Sequence, residues 1–466
     1  MRPLFLTVIA GAALLCAQPF DRTKPPATPP IPNYKLPPVD EAKLANGLAV
    51  VMVEDNRFPV VTARLTFHAG TRNDPADMPG LAQDVGALLV EGTPTRTSRQ
   101  IAEQTAALGG SISGSADTDG LTLGGLALSE NAGKLLELMA DVARNANFPE
   151  AEVALHKQNR KQALMQQSSD PNYLGVRKFN EVVYGKHPYA HIGPTMQSLD
   201  KLDRKAVVAF RDSYLTPNNA VLILIGKLPP RADTIKMVEA QFGSWARKEV
   251  TVPAEAPLPE SKRQLVLVDR PGSVQADIHM GRLAVTRTSS EYYPLLMGRM
   301  ILGGGMSSRM FVNIREKEGF AYDAHAEQTP HKEAGTFAAV TQVRNEVLEP
   351  ALKAVIGELD RMEKERVTAE ELSNAKNLSA GSFLLHLETQ NELADQFVMM
   401  RNLGLPNTYL ERFTDRVRAV EPDQIQAAAK KYMSPDSSAI VVVGDASKIG
   451  KTLEKFGHVT VTKVEP

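Results

Sequence analysis

The segments YLTPNNAVLILIG, residues 214–226, and YMSPDSSAIVVVG, residues 432–444, align without a gap at an offset of 218 residues. Each begins with a proline turn and continues as an unbroken apolar run that ends at glycine, which is the pattern of a buried strand. A helical pattern directly precedes each strand, and a strand pair followed by a helix occurs earlier in both halves, at 111–145 and 321–362. We therefore predict a duplicated domain, in preference to two unrelated α/β domains.

The boundaries of the two domains follow from composition. Residues 248–262 (KEVTVPAEAPLPESK) contain three prolines and no apolar period, so we interpret them as a linker between domains at 41–247 and 263–466. Residues 18–40 are rich in proline and are predicted to form an extended strap. The predicted fold class is α+β, with two similar domains that are each a mostly antiparallel sheet covered by helices, arranged like the halves of a clam.

Residues 1–17 differ from the rest of the chain. The apolar run 4–17 is shorter than the roughly 20 residues that span a bilayer. A basic start, a short apolar core and small residues at its end are typical of a secretory signal peptide, so we predict a periplasmic or secreted protein with no membrane span. Cys16, the only cysteine, is then removed with the signal. Lipid modification of Cys16 is the alternative, although Leu15 before it is bulkier than lipoprotein cleavage sites favour.

The charge balance bears on the choice of partner. The chain has 53 basic and 54 acidic residues, a formal net charge of −1 and no long run of one sign. Nothing in this distribution indicates binding to nucleic acid or to an anionic membrane. We therefore expect neither of them as a partner.

Four segments together carry a resemblance to a known family. They are LANGLAVVMVEDNRFPVV (44–61), GLAQDVGALLVEGT (80–93), YGKHPYAHIGPTMQSLDKL (184–202) and LGGGMSSRMFVNIREKEGFAY (302–322). Over nearly the whole chain after the strap, the sequence resembles the pitrilysin/insulinase family of zinc metallopeptidases, and most closely its short, two-domain members that include mitochondrial processing peptidase. The resemblance implies the two-domain α+β fold predicted above.

The zinc motif of that family is absent. Active members carry H-x-x-E-H on the first helix of the first domain, where two histidines hold Zn²⁺ and the glutamate acts as general base. The resemblance places Gln83 and Ala87 at the histidine positions and Gly86 at the base position. The third ligand, a glutamate, maps near Gln162–Ala163, where no carboxylate exists. We therefore predict no metal and no cofactor in this chain, and we expect the zinc in a partner subunit.

A second pair of family residues is retained. Arg315 and Tyr322 stand seven residues apart in IREKEGFAY. In family members an arginine and a tyrosine of this pattern hold the substrate backbone and stabilise the developing oxyanion. The resemblance thus implies that Arg315 and Tyr322 are contributed in trans to an active site whose zinc lies on the partner. The alternative is structural: a surface ion pair for Arg315 and core packing for Tyr322.

Two further motifs have a composition or spacing that occurs in binding sites. Gly303, Gly304 and Gly305 match no phosphate-binding loop, so we interpret them as a turn between helices, with a substrate contact suggested only by a glycine-rich loop in processing peptidases. His187 and His191 have the spacing of a metal pair, but Pro188 between them argues against a shared helix face.

The sequence leads to one main hypothesis and two alternatives. We predict a non-catalytic, substrate-binding subunit of an exported, heterodimeric zinc metalloendopeptidase, with a homologous zinc-motif chain as partner and peptides as substrates. The first alternative is a structural or peptide-binding pseudopeptidase with no role in proteolysis. The second, a peptidase with an independent site, has no motif to support it.

Overall fold

The computed structural model describes residues 31–251 and 256–464. The predicted signal peptide, Cys16, most of the strap and the middle of the linker lie outside these residues. The described residues from Asn33 onward belong to one compact unit. Within the described ranges no helix is both long enough and apolar enough to cross a membrane.

The described residues form two sets of elements in the same order, except that the outermost strand begins the first set and ends the second. The strands are β1 (Val39–Lys43), β2 (Ala49–Glu54), β3 (Val60–Phe67), β4 (Ser111–Ala116), β5 (Leu121–Leu128), β6 (Ala220–Gly226), β7 (Gln264–Asp269), β8 (Gln275–Ala284), β9 (Ala321–Thr329), β10 (Gly335–Arg344), β11 (Ala439–Gly444) and β12 (Val459–Lys463). The α-helices are α1 (Leu81–Leu88), α2 (Ser98–Ala107), α3 (Ala132–Asn145), α4 (Glu150–Gln167), α5 (Pro171–Tyr184), α6 (Met196–Lys201), α7 (Arg204–Tyr214), α8 (Arg231–Phe242), α9 (Tyr292–Gly303), α10 (Leu348–Lys364), α11 (Ala369–Leu385), α12 (Gln390–Asn402), α13 (Tyr409–Arg418), α14 (Pro422–Tyr432) and α15 (Ala446–Leu453).

The strands form two six-stranded sheets with matching topology. Their strand orders are β1-β2-β6-β3-β5-β4 and β12-β7-β11-β8-β10-β9. Most neighbours are antiparallel; the parallel pairs are β2–β6, β7–β11 and β7–β12. The outermost strands differ, since β1 is antiparallel to β2 whereas β12 is parallel to β7. β1 begins at Val39, so it includes the last two residues of the predicted strap. The predicted α+β duplication is confirmed.

Each sheet is covered on both faces, and one of the covering helices comes from the other half. Alternate residues of β6 belong to different cores, with Leu222 and Leu224 in the core of the first half and Ile223 and Ile225 in a cluster shared with the second half. An apolar run without polar alternation is what a strand buried on both faces requires. The second layer is supplied by exchange: α12 packs on β3 and β6 of the first sheet, and α5 packs on β8 and β11 of the second.

Candidate functional site

Helix α1 carries the degenerate motif and is fixed at its start by a buried carboxylate. Its N-cap, Gly80, has φ of 91°, a conformation that favours glycine. The Asp74 carboxylate accepts the backbone N–H of Gly80 at 2.7 Å and of Ala82 at 2.8 Å. Burial raises the pKa of Asp74 to about 8, against the lowering effect of these hydrogen bonds. The start of the motif helix is therefore fixed by the loop that precedes it.

The base position of the motif is closed by the backbone of the sheet. A Cβ atom on Gly86 would lie 2.9 Å from the carbonyl carbon of Ser115 in β4. On the other side of the same contact, a Cβ on Gly114 would lie 2.2 Å from the Gly86 carbonyl oxygen. The two glycines thus let α1 and β4 approach more closely than side chains permit. A glutamate side chain at position 86 does not fit this packing.

At the remaining motif positions a salt-bridge cluster lies where the family places its metal. The guanidinium of Arg160, on α4, donates from Nη2 to Gln83 Oε1 at 2.9 Å and from Nε to Asp84 Oδ1 at 3.2 Å. His156 Nε2 lies 2.9 Å from the same Asp84 oxygen, and the Asp84 side chain is only 3% exposed. A guanidinium is not a zinc ligand, so this cluster offers only His156 and Asp84, whereas zinc needs three protein ligands.

In the part of the chain that the structure describes, no group of three or more His, Cys, Asp or Glu side chains is arranged to hold a metal ion. The residues at the family's zinc position therefore do not fit the metal. Ala163, near the position of the third ligand, is half-buried, and Gln162 is exposed.

Restoring the motif is expected to fail for a steric reason as well as a chemical one. We expect Gly86→Ala alone to destabilise the chain by about 1–3 kcal/mol, because the new methyl group meets the backbone of β4. Gly133→Ala is the matched control, since a Cβ there meets only Met237 Sδ, at 3.5 Å. Urea unfolding of both variants measures the difference. Equal stability of Gly86→Ala and wild type would contradict the packing argument.

The triple variant Gln83→His, Gly86→Glu, Ala87→His tests the same point through metal binding. We expect it to bind no stoichiometric zinc, because the steric conflict at position 86 remains and Arg160 still faces the motif. Zinc quantification after dialysis is the measurement. Stoichiometric zinc in a folded triple variant would show that the site was lost through its ligands alone.

β4 forms an open edge beside the lost site. Among the described strands it pairs only with β5, and Ser111, Ser113 and Ser115 are exposed. These three serines line a cavity of about 600 Å³ between the first sheet and α12. Edge strands usually carry charges, prolines or bulges that prevent pairing, and SISGSA has none of them. β4 is therefore the edge best suited to accept an extended peptide.

Arg315 and Tyr322 are brought together on the second half. Arg315 lies in a π-helical turn at Phe311–Lys317, and Gly319, with φ of 64°, redirects the chain into β9. The guanidinium carbon of Arg315 is 4.4 Å from the ring centroid of Phe311 and 5.0 Å from that of Tyr322, which are cation–π distances. Tyr322 is 86% exposed, so it does not pack in a core. Neither residue lines the cavities beside Gln83 or along β4.

The glycine run has a structural explanation. Gly303 ends α9 against β9, where a Cβ would lie 2.2 Å from the backbone nitrogen of Ala326. A Cβ on Gly304 would meet Met300 Cα at 2.6 Å. These approaches agree with the predicted turn. Met306, directly after the run, is 77% exposed. The substrate contact suggested for this loop stays a prediction.

His187 and His191 do not form a pair. His187 is 1% exposed; its Nε2 lies 3.0 Å from Glu333 Oε2, and its Nδ1 accepts the backbone N–H of Tyr189. His191 is exposed. His187 thus joins the first half to the β9–β10 turn, where Arg72 also pairs with Glu333 at 2.8 Å. The spacing that suggested a metal pair reflects this structural contact.

Sequence reasoning missed two features of the site. Arg160 and His156 lie one helical turn apart on α4, a spacing that indicates a shared face but not what that face meets. The open edge at β4 had a signal in its composition, since SISGSA lacks every residue type that blocks strand pairing.

The geometry agrees with what sequence families show. Residues 49–191 match the model described as Insulinase (Peptidase family M16), and residues 201–379 match Peptidase M16 inactive domain. Together they cover well over half of the chain, in the order of its two halves. The chain belongs to the peptidase M16, or insulinase, family. The match to the model described as an inactive domain supports an inactive M16 member, which is consistent with a non-catalytic subunit.

Individual relatives support this assignment. This M16 protein is 23% identical over 404 residues to "Uncharacterized zinc protease YmxG" of Bacillus subtilis (strain 168), covering 85% of this chain and 96% of the relative. It is 25% identical over 417 residues to "Uncharacterized zinc protease" of Rickettsia felis, covering 87% and 97%. These names belong to the relatives, and the M16 protein described here lacks the zinc motif.

Solved structures show the same fold. A crystal structure described as peptidase M16 inactive domain from Pseudomonas fluorescens superimposes with a TM-score of 0.81 at 27% identity, covering 87% of this chain and 98% of the other. A protease from Helicobacter pylori gives a TM-score of 0.81 at 20% identity, with 88% and 100% covered, and shows the fold alone. The M16 recognition made from the sequence is confirmed.

Proposed function

We propose that this M16 protein is the non-catalytic, substrate-binding subunit of a heterodimeric zinc metalloendopeptidase. One observation carries the proposal: Arg315 and Tyr322 are held together at the surface of a chain whose own motif positions are filled by Gln83, Gly86 and Ala87. Because Tyr322 is exposed and packs against the Arg315 guanidinium, it does not contribute to the packing of the core. It is suited to meet a substrate or a second chain.

The partner in this proposal is a homologous subunit with an intact H-x-x-E-H motif. Its zinc supplies the activated water and polarises the scissile carbonyl. From this chain, the Arg315 guanidinium and the Tyr322 hydroxyl supply hydrogen-bond donors to the substrate backbone and to the oxyanion that develops there. The division of labour requires that neither chain cleaves peptides efficiently alone.

Peptide binding is proposed to occur by strand addition at β4. An extended peptide that pairs with an open edge gains main-chain hydrogen bonds that depend little on its sequence. β9, the edge strand of the second sheet that corresponds to β4, carries Asp323, His325 and Glu327, and the register of the β9–β10 pair shifts near Thr341. Charges and bulges protect edges against pairing, so β4 is the better acceptor.

A peptide-binding pseudopeptidase is the second candidate. The observation that favours it is the same open edge, because β4 and its 600 Å³ cavity lie within this chain and need no partner. In this case Arg315 and Tyr322 serve binding only. Export through the signal peptide at 1–17 is proposed for both functions.

Reconstitution distinguishes the two candidates. We expect the purified chain to show no peptidase activity and no stoichiometric zinc, and to produce zinc-dependent cleavage when mixed with a zinc-motif homologue from the same genome. The homologue alone is the control. Silence of the mixture with peptide binding retained would favour the pseudopeptidase, and cleavage by this chain alone would contradict both.

A further inference from the structure

The guanidinium of Arg160 is held in place but not fully used. Asp84 and Gln83 accept two of its five N–H donors. The side chain is 26% exposed and lines a cavity of about 380 Å³ at the family's zinc position. The remaining donors are therefore available to a ligand. Because Asp84 already fixes the guanidinium through Nε, little side-chain entropy would be lost on binding.

The rest of the cavity suits an anion. Its polar lining includes the imidazole of His156 and the hydroxyl of Tyr173, and no acidic residue lines it; Asp84 lies beneath, 3% exposed. Burial raises the pKa of Tyr173, opposed by the positive charges of Arg177 and Arg160, so its hydroxyl remains a hydrogen-bond donor at neutral pH.

A glycine keeps the cavity open on the side of Tyr173. A Cβ on Gly193 would lie 3.7 Å from Gln83 Oε1 and 4.0 Å from the Tyr173 hydroxyl oxygen. A larger side chain there would extend into the space between these two polar atoms. The opening therefore lies between the hydroxyl donor and the residue that positions Arg160.

The cavity lies at the end of the open edge strand. Gly114, Ser115 and Ala116, the last residues of β4, line it, whereas Ser111 and Ser113 line only the 600 Å³ cavity on the other face. Side chains of a strand alternate between the two faces of a sheet. A peptide paired with β4 would therefore direct its end, or every second side chain near that end, toward Arg160.

We propose that this cavity binds a carboxylate group of a peptide paired with β4, with Arg160 as the charged partner and Tyr173 as a hydroxyl donor. The inference deepens the peptide-binding role proposed above and rests on it. A single guanidinium, partly balanced by Asp84, matches a carboxylate better than a dianionic phosphate, which favours several cations. The carboxylate belongs either to the C-terminus of the peptide or to an acidic side chain.

Three labelled peptides distinguish these sources. The first is a fluorescein-labelled nine-residue peptide of alternating serine and valine with a free C-terminal carboxylate; the second is its C-terminal amide; the third is the amide with one valine near its C-terminus replaced by glutamate. Fluorescence anisotropy with the purified chain measures each affinity. We expect the first or the third to bind at least tenfold more tightly than the second, and the tighter one identifies the source.

Variants assign the effect to the cavity. Arg160→Gln is expected to abolish the carboxylate preference, and Tyr173→Phe to reduce it about threefold. Arg99→Gln is the matched control, because Arg99 is 86% exposed on α2 and is expected to change nothing. If Arg160→Gln fails to fold, since it leaves Asp84 with only His156, then Tyr173→Phe and Arg160→Lys decide the outcome. Lysine keeps the charge but loses the fork, so the preference should fall.

Each failure has its own meaning. Equal affinity for all three peptides overturns the carboxylate site and leaves strand addition at β4 in place. Binding of none of the peptides overturns both this inference and the peptide-binding role on which it rests. A carboxylate preference that persists in folded Arg160→Gln and is unchanged in Tyr173→Phe shows that the anion binds elsewhere.

Discussion

Arg315→Ala and Tyr322→Phe, each tested in the reconstituted complex, are expected to lower kcat by about 100-fold or more while zinc remains bound to the partner. The reason is the loss of a donor to the developing oxyanion, which typically has this effect. Because Tyr322 is 86% exposed, removal of its hydroxyl leaves the folding of this chain unchanged. Steady-state kinetics together with thermal unfolding of the isolated subunit separate a catalytic effect from a structural one.

The control for this experiment lies on the same turn. Lys317→Ala removes an exposed cation that donates to Asn313, and it should leave kcat within twofold of wild type. Arg315→Lys should lose most of the effect of arginine, because lysine lacks the planar fork. Full activity of Tyr322→Phe and Arg315→Ala would exclude the divided active site and leave the pseudopeptidase.

Phe179→Ala is expected to destabilise the chain by about 3–5 kcal/mol, the usual effect of truncating a buried phenylalanine. Phe179 lies in α5 of the first half. It belongs to a buried cluster that includes Val266 of β7 and Val441 of β11, both in the second sheet. The exchange of α5 and α12 couples the two halves, so we expect one cooperative transition, shifted to lower urea. Urea unfolding followed by circular dichroism is the measurement.

Phe58→Ala is the matched control for this change. It deletes the same atoms from a side chain that is 60% exposed, so the expected effect is within about 0.5 kcal/mol. Two separate transitions, with only the first shifted in Phe179→Ala, would contradict the coupling. Retention of wild-type stability would show that α5 contributes little to the cover of the second sheet.

Much of the fold could be predicted from local sequence. The repeat at an offset of 218 residues holds in detail, since α7 spans Arg204–Tyr214 and α14 spans Pro422–Tyr432. The matching helices and strands can be predicted from the sequence because the apolar period, the prolines and the terminal glycines are local signals. The absence of His and Glu at positions 83, 86 and 87 is readable in the same way, because a zinc motif is a set of residue types at fixed spacing.

The site beyond that motif could not be predicted in the same way. No motif in the sequence marks Arg160 as part of a site. Only the packing of α4 on α1 places its guanidinium against Gln83 and Asp84. His187 had the spacing of a ligand, yet its partner, Glu333, lies 146 residues away. Contacts of this range depend on how elements pack, which no local pattern encodes.

By itself, the sequence determined that this protein is a duplicated α+β chain of the M16 family whose zinc motif is lost, because strand and helix periods and motif residues are written locally. Only the tertiary structure decided that α5 and α12 are exchanged between the halves, that Gly86 and Gly114 close the base position, that β4 is left as an open edge, and that Tyr322 stands exposed beside Arg315. These features arise from burial and close packing between residues distant in sequence, where shape and desolvation act rather than residue order.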